Sequence, residues 1–299
     1  MSRLLLARGS RGELVKKVQR GLAFEERDID GRYGGQTFDG VSAFQVNRGL
    51  DKTGAVDTDT WSGITTLPVP SLFERVLGIT ADFEGHGFDL AQGNFDGAGI
   101  TWGIIGFTLR HGEIPAIVLE MDRTRPDLLT LAFGENTKKL LQVMKAPLAK
   151  QMEFADSVSI GQTKARLAEP WLSSFALFGR LEEVKQTQLR RAREKYFSPA
   201  MTTAARLGFV TELGAALCFD IHVQNGSVKP AVRDQILGQT FSTERKKRVA
   251  LANAVADASI QRFREDVRSR KLTLATGSGK VHGASFKVPD WGLDELPAA

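Results

Sequence analysis

Apolar positions recur at helical spacing through most of the chain. Leu14, Val15, Val18 and Leu22 keep one face after the turn Gly9-Ser-Arg-Gly12. Val41, Phe44 and Leu50 line up on a second short helix, with Phe38 near its start. Asp57-Thr-Asp-Thr60-Trp61 offers capping residues for a third. Leu72, Phe73, Val76, Leu77 and Phe83 form another stripe, with Ser71 placed to cap it and Gly85 to end it. Leu128 to Phe133, Leu140 to Val143, and Trp171-Leu172 with Phe175 and Phe178 mark further buried helices. Thr203 to Val223 is apolar nearly all round, which predicts one central buried helix. Ile100 to Phe107 reads as a strand in which Gly103 and Gly106 permit close backbone approach. The expected class is mainly α, with a small β component.

Two segments stand apart. The pattern G-x-x-G-x-x-V-x-x-V-Q-x-x-L at the start recurs loosely as G-x-x-T-x-x-G-V-x-x-F-Q from Gly34 to Gln45, with the turn signal Asp30-Gly31 between the copies. Leu67-Pro-Val-Pro70-Ser71 favours extended backbone and stops the preceding helix. The reading is a small module over residues 1–68 and a larger domain over 69–299, a division that 299 residues can support.

Composition narrows the class. Hydrophobic content of 42% and charged content of 25% are those of an ordinary globular protein. A single cysteine, Cys218, excludes an internal disulfide and sits among Ala, Leu and Phe as a core thiol would. The start, MSRLLLARGSRGELV, lacks the apolar core of a signal peptide, so export by the general route is not expected. No stretch approaches the roughly 18 apolar residues of a membrane span. Net charge is +5, and Thr243 to Lys271 alone holds 9 Lys and Arg against 4 Asp and Glu. That run is either a solvated helix face or an attraction for an anionic polymer. Aromatics are not interleaved with its bases, which argues against nucleic acid.

Candidate chemistry concentrates in ITADFEGHGFDLAQGNFDGAGITWGIIGFTL. Glu84 closes an apolar-periodic helix, Asp96 follows 12 positions later in a glycine-rich turn, and Thr101 opens an apolar run. A carboxyl on a helix end and another on a turn can face each other across a cleft. One can then protonate a leaving oxygen while the other activates water. Trp102 either stacks on a sugar or fills the core. His86 lies within the stretch and His111 just after it, without His or Cys companions at ligand spacing, so no metal or other cofactor is expected. His86 reads as a cleft-wall or surface residue. Thr276 to Gly283 is a glycine-rich loop without the strand-before, helix-after context of a phosphate site, and His282 within it could line the cleft.

The block DGAGITWGIIGFT, preceded by ADFEG, resembles the active-site segment of the chitosanase-like branch of the lysozyme superfamily. REKYFSPA and LCFDIHVQNG resemble two of its helices, and the likeness covers about residues 70 to 290. It implies a two-lobed lysozyme-like helical domain with Glu84 as general acid, Asp96 as general base and Thr101 holding the attacking water. The Glu, Asp, Thr order is also similar to the short-spaced triad of phage lysozymes. The resemblance further implies a support network in which the buried Asp220 joins an arginine and reaches the catalytic base. Arg262, Arg268 and Arg270 are its candidate partners, Arg190, Arg191 and Arg193 are candidates to face the cleft, and Arg191 is counted with Asp220, Arg268 and Arg270 in the support network.

The first segment is similar to the peptidoglycan-binding module of three-helix type. Its markers here are Gly9, Gly12, Val15, Gln19, Leu22, Asp30, Gly31, Gly34, Thr37, Phe44, Gln45, Leu50 and Thr60-Trp61. Wall contacts are placed on polar groups near Asp30, Tyr33, Gln36 and Gln45. The expected protein is a monomeric endolysin that cuts peptidoglycan glycan with inversion. Its phage origin would have it made in host cytoplasm and released to the periplasm and cell wall by a separate pore-former. Inversion calls for carboxyls roughly 6.5 to 9.5 Å apart. Two rivals stand beside it: a true chitosanase, and a non-catalytic wall-binding protein.

Overall fold

The computed structural model describes residues 2–85 and 87–298. The chain separates into two compact units, Met1–Phe83 with Lys195–Ala299, and Glu84–Glu194. The architecture is mainly helical with small antiparallel sheets.

The first unit opens with strand β1 (Leu4–Leu6), followed by helices α1 (Glu13–Gly21) and α2 (Gly35–Asn47). Strand β2 (Val56–Asp57) returns to pair with β1, and α3 (Thr58–Thr65) follows, its first turn capped by Asp57 accepting from Thr60 N at 2.8 Å. Leu5, Leu6, Val15, Val18, Val41, Val56 and Trp61 fill the core between them. The sequence echo has a structural meaning. Gln19 accepts from Gly31 N at 2.9 Å and donates to Asp30 Oδ1 at 2.9 Å, while Gln45 accepts from Gly54 N at 2.9 Å and donates to Ala55 O at 2.8 Å. Each glutamine clamps a loop with a buried amide, supplying the partners that buried loop backbone needs.

Two wall-contact expectations are overturned by this arrangement. Gln45 is buried and its amide is spent on the 53–55 loop. Tyr33 is buried too, its hydroxyl donating to Gly54 O at 2.9 Å. Asp30 is exposed at the module surface, although its Oδ1 also accepts from Arg32 N at 2.8 Å.

The proline-rich segment is not a free tether. Trp61 Nε1 donates to Pro68 O at 3.0 Å, and Ser71 and Glu74 form a reciprocal capping box at the start of α4 (Leu72–Glu84). Further on, Glu212 pairs with both Arg3 and Arg75, the latter at 2.8 Å, and both arginines donate to Gly292 O. The small module therefore packs as part of the first unit.

The second unit carries a three-stranded antiparallel sheet: β3 (Ala91–Gln92), β4 (Thr101–Trp102) and β5 (Phe107–Thr108). The single strand expected over Ile100 to Phe107 is instead a hairpin. The chain reverses at Gly103 and Gly106, whose φ of 88° and 66° suit glycine, and Gly106 N donates to Gly103 O at 3.0 Å. The intervening Ile104 and Ile105 are buried, so the turn has no polar signature in the sequence. Helices α5 (Glu113–Thr124), α6 (Pro126–Phe133), α7 (Thr137–Met144) and α8 (Leu148–Val158) follow. A short ribbon of β6 (Ser159–Ile160) and β7 (Arg166–Leu167) leads to α9 (Trp171–Arg180) and α10 (Glu182–Ala192). Phe133, Trp171, Phe175 and Phe178 interlock as the aromatic centre.

Beyond a π-helical turn, Arg193–Phe197, the first unit resumes with α11 (Ser198–Arg206), α12 (Glu212–Asn225), α13 (Pro230–Leu237), α14 (Glu244–Asp257) and α15 (Arg264–Thr276). The apolar run from Thr203 is thus two helices, broken at Gly208 (φ 67°), and Thr211 caps the buried second one. The glycine-rich tail is a hairpin of β8 (Ser278–Val281) and β9 (Ala284–Lys287), turned by His282 and Gly283. His282 is largely exposed and pairs with Asp266 at 2.8 Å. Part of the late basic excess is internal. Arg248, Arg270 and Lys271 are buried, and Arg248 pairs with Glu295 at 2.5 Å.

Candidate active site

Glu84 is the last residue of α4 and is half-buried; Gly85 follows in the left-handed region (φ 66°) and ends the helix. The last turn of this helix is held by the first unit. Thr80 Oγ1 donates to Asp220 Oδ1 at 3.3 Å. The Arg270 guanidinium carbon lies 5.3 Å from the Phe83 ring centre, and Phe83 meets Phe286 edge to face at 4.8 Å. His86, expected at the cleft wall, lies outside the described residues.

Asp220 is fully buried on α12. Arg270 reaches it with Nη2 at 2.6 Å and Nε at 2.9 Å, and Lys271 Nζ stands at 2.5 Å. Burial alone would push this carboxyl up. The charges of Arg270 and Lys271 and their hydrogen bonds outweigh it and hold the carboxyl down to about 2. The residue it supports is on the helix of Glu84, at Thr80, with Arg270 continuing to Phe83. The Arg268 expectation is corrected: that side chain pairs with Asp257 and Asn253, each at 2.7 Å. Arg262 lies against Phe263 at 4.5 Å. Arg191 stands on α10, its buried Nε without a hydrogen-bond partner, and Asp220 is paired by Arg270 and Lys271 instead. Lys271 escaped sequence reasoning because an ammonium one position past an arginine gives no separate signal.

Asp96 stands in the turn before β4 and Thr101 on β4 itself, in the unit that begins at Glu84. Asp96 is exposed in the turn between β3 and β4, where its Oδ1 accepts from Ala98 N at 2.9 Å. The turn is pinned on both sides. Asn94 Oδ1 accepts from Gly99 N at 2.8 Å, Asn94 N donates to Ser159 Oγ at 2.9 Å, and Arg110 Nε donates to Gly97 O at 2.6 Å. A Cβ on Gly93 would fall 2.3 Å from Lys164 O, so glycine is required where this loop meets β7. Phe95, next to the carboxylate, is 49% exposed.

Thr101 opens β4. The register pairs it with Gln92 on one side and Thr108 on the other, so these three share a face, while Ala91, Trp102 and Phe107 share the buried one. Thr101 is only 7% exposed, and its Oγ1 is buried without a hydrogen-bond partner. A hydroxyl in that state is one that a bound water or ligand oxygen would satisfy. Thr108 Oγ1 lies 2.8 Å from His111 Nδ1, extending the polar row. Sequence reasoning missed Gln92 and Thr108; two-residue alternation about Thr101 was the available signal, hidden by reading one long strand.

Trp102 resolves to the core. It is fully buried, stacks on Phe178 at 5.5 Å, and donates from Nε1 to Phe175 O at 2.9 Å. It cannot present a face to a sugar. Among the described residues no group of three or more side chains could hold a metal ion.

The comparisons give this mainly helical body and its small module a glycan-cleaving class. Residues 82–277 match "Glycosyl hydrolase family 46", and residues 11–63 match "Putative peptidoglycan binding domain". The protein is a glycoside hydrolase carrying a peptidoglycan-binding module. It belongs to glycosyl hydrolase family 46. Among solved structures, a family 46 chitosanase from Gynuella sunshinyii, in complex with chitotetraose, shares 20% identity over 73% of this chain and 98% of its own, with a TM-score of 0.52. The native chitosanase of Bacillus subtilis MY002 is 19% identical over 72% of this chain and 94% of its own, with a TM-score of 0.48. The first likeness shows the lysozyme-like fold. No curated protein matches the chain.

Proposed function

We propose that the protein is an endolysin-type muramidase, hydrolysing the glycan strands of bacterial peptidoglycan and so lysing the cell. The observation that carries this reading is the joining, in one chain, of a family 46 hydrolase body to a peptidoglycan-binding module. Glu84 gives its proton to the leaving glycosidic oxygen. Asp96 takes a proton from water, and Thr101 Oγ1 orients that water, which attacks the anomeric carbon from the opposite face and inverts it. The unpartnered Thr101 hydroxyl and the exposed, rigidly mounted Asp96 carboxylate support these roles. The module holds the enzyme on insoluble wall, where high local concentration replaces tight binding at the cleft.

Chitosan is the second reading, favoured by the chitosanases among its structural neighbours. That substrate is cationic, and a chain with pI ≈ 9.3 meets it with repulsion. The two are separated by incubating the enzyme with purified peptidoglycan and with chitosan and measuring new reducing ends by mass spectrometry. Muramic acid ends are expected. Release from chitosan alone would overturn the proposal, as would full turnover by Glu84→Gln.

A further inference from the structure

We propose that Arg11, a residue of the peptidoglycan-binding module, is a positioning residue for the hydrolytic reaction. This rests on Glu84 being the proton donor. Arg11 forms a bridge with Arg32 inside the module, but its side chain leaves the module. Its Nε lies 3.4 Å from Asp82 Oδ2, and its guanidinium carbon lies 5.7 Å from the Phe286 ring centre. Asp82 and Phe83 are the two residues before Glu84, and Phe286 is the ring against which Phe83 packs. One module side chain therefore touches both the last turn of α4 and a ring that packs against it.

The chemistry at Asp82 makes that contact consequential. Its side chain is 12% exposed, and its Oδ2 is buried without a hydrogen bond, so the approach of Arg11 is a charge contact rather than a shared proton. Burial pushes this carboxyl up, and Arg11 and Arg32, both from the module, oppose the shift. Remove Arg11 and a poorly solvated carboxylate loses its nearest counter-charge in the final turn of α4. That turn ends at a glycine, where helices fray. Small displacements of a catalytic group lower turnover steeply.

The test uses the full chain and short, soluble peptidoglycan glycan fragments, on which anchoring to insoluble wall is irrelevant. Arg11→Ala should lower kcat on these fragments about tenfold with KM within about twofold, while sedimentation with whole peptidoglycan stays at the parent level. Arg11→Lys, which restores the charge, should recover most of the loss. In an Asp82→Asn background, the effect of Arg11→Ala should shrink, since no charge is left to compensate. Should the lysine variant fold poorly, Phe286→Leu probes the same support from the other side, with the same kcat loss expected. An unchanged kcat for Arg11→Ala on soluble fragments overturns the proposal, as does a loss that tracks wall binding alone. Glu84→Gln run in parallel separates the two claims. If it is inactive while Arg11→Ala behaves as the parent, only the positioning role fails; if it keeps turnover, both fail.

Discussion

Arg270 grips Asp220 through two nitrogens, Nη2 at 2.6 Å and Nε at 2.9 Å, at a point where neither side chain reaches solvent. Lys271 completes the enclosure, and its Nζ also donates to Gln224 Oε1 at 2.6 Å. Such a cluster does little for stability compared with a well-packed apolar set, but breaking it is expensive. Its position behind Thr80 and Phe83 ties two helices, α12 and α15, to the end of α4.

Asp220→Asn should therefore destabilise the protein by about 3–5 kcal/mol, because two buried cations lose their anion. Chemical denaturation monitored by tryptophan fluorescence checks this. A change below about 1 kcal/mol would mean that water reaches the cluster.

Acid should act through the same group. The native carboxyl of Asp220 lies below its unfolded value of about 3.9, held down to about 2. The stabilisation is thus complete above the unfolded value and is lost as pH falls through that window. The urea midpoint of the parent should drop steeply between about pH 4 and pH 2, and Asp220→Asn should flatten that slope. Equal slopes in both proteins would assign acid sensitivity to other carboxylates.

Thr101→Val tests the orphan hydroxyl. An unsatisfied buried hydroxyl costs about 1–3 kcal/mol, so the isosteric methyl should leave the thermal midpoint unchanged or higher. Turnover should nevertheless fall about 10–100-fold if the hydroxyl orients the attacking water. A stable variant with parental kcat would remove Thr101 from the reaction.

Trp102→Phe should behave as a core change. Losing the bond to Phe175 O and part of the stack on Phe178 should cost about 2 kcal/mol. KM on glycan fragments should not move in the folded enzyme. A raised KM at unchanged stability would restore the sugar-platform role that burial denies it.

Much of this was legible from local pattern. The α4 stripe, the Ser71 cap and the Gly85 stop are nearest-neighbour signals, and so are the three helices of the module. What escaped depends on the third dimension. Tyr33 and Gln45 look like surface polar groups, yet their hydroxyl and amide close loops near Gly54. Arg268 and Arg270 are two positions apart on one helix and so point different ways; spacing alone cannot say which meets Asp220. Ile104 and Ile105 disguise a reversal as a strand because the turn is buried. That Asp96 sits in a turn and Thr101 opens a strand was readable because both signals are local, whereas the Arg11–Asp82 contact spans the two recognised segments.

The double arginine grip on Glu212 bears on how this protein can be re-engineered. A shortened enzyme starting after Pro70 would keep Arg75 but lose Arg3, half of the clasp on that carboxylate. It would also strip Leu5 from the backbone of Gly292. Transplanting a different anchor onto the hydrolase would then mean rebuilding a seam, and a successful chimera would have to supply its own cation and apolar ridge where the native one now sits.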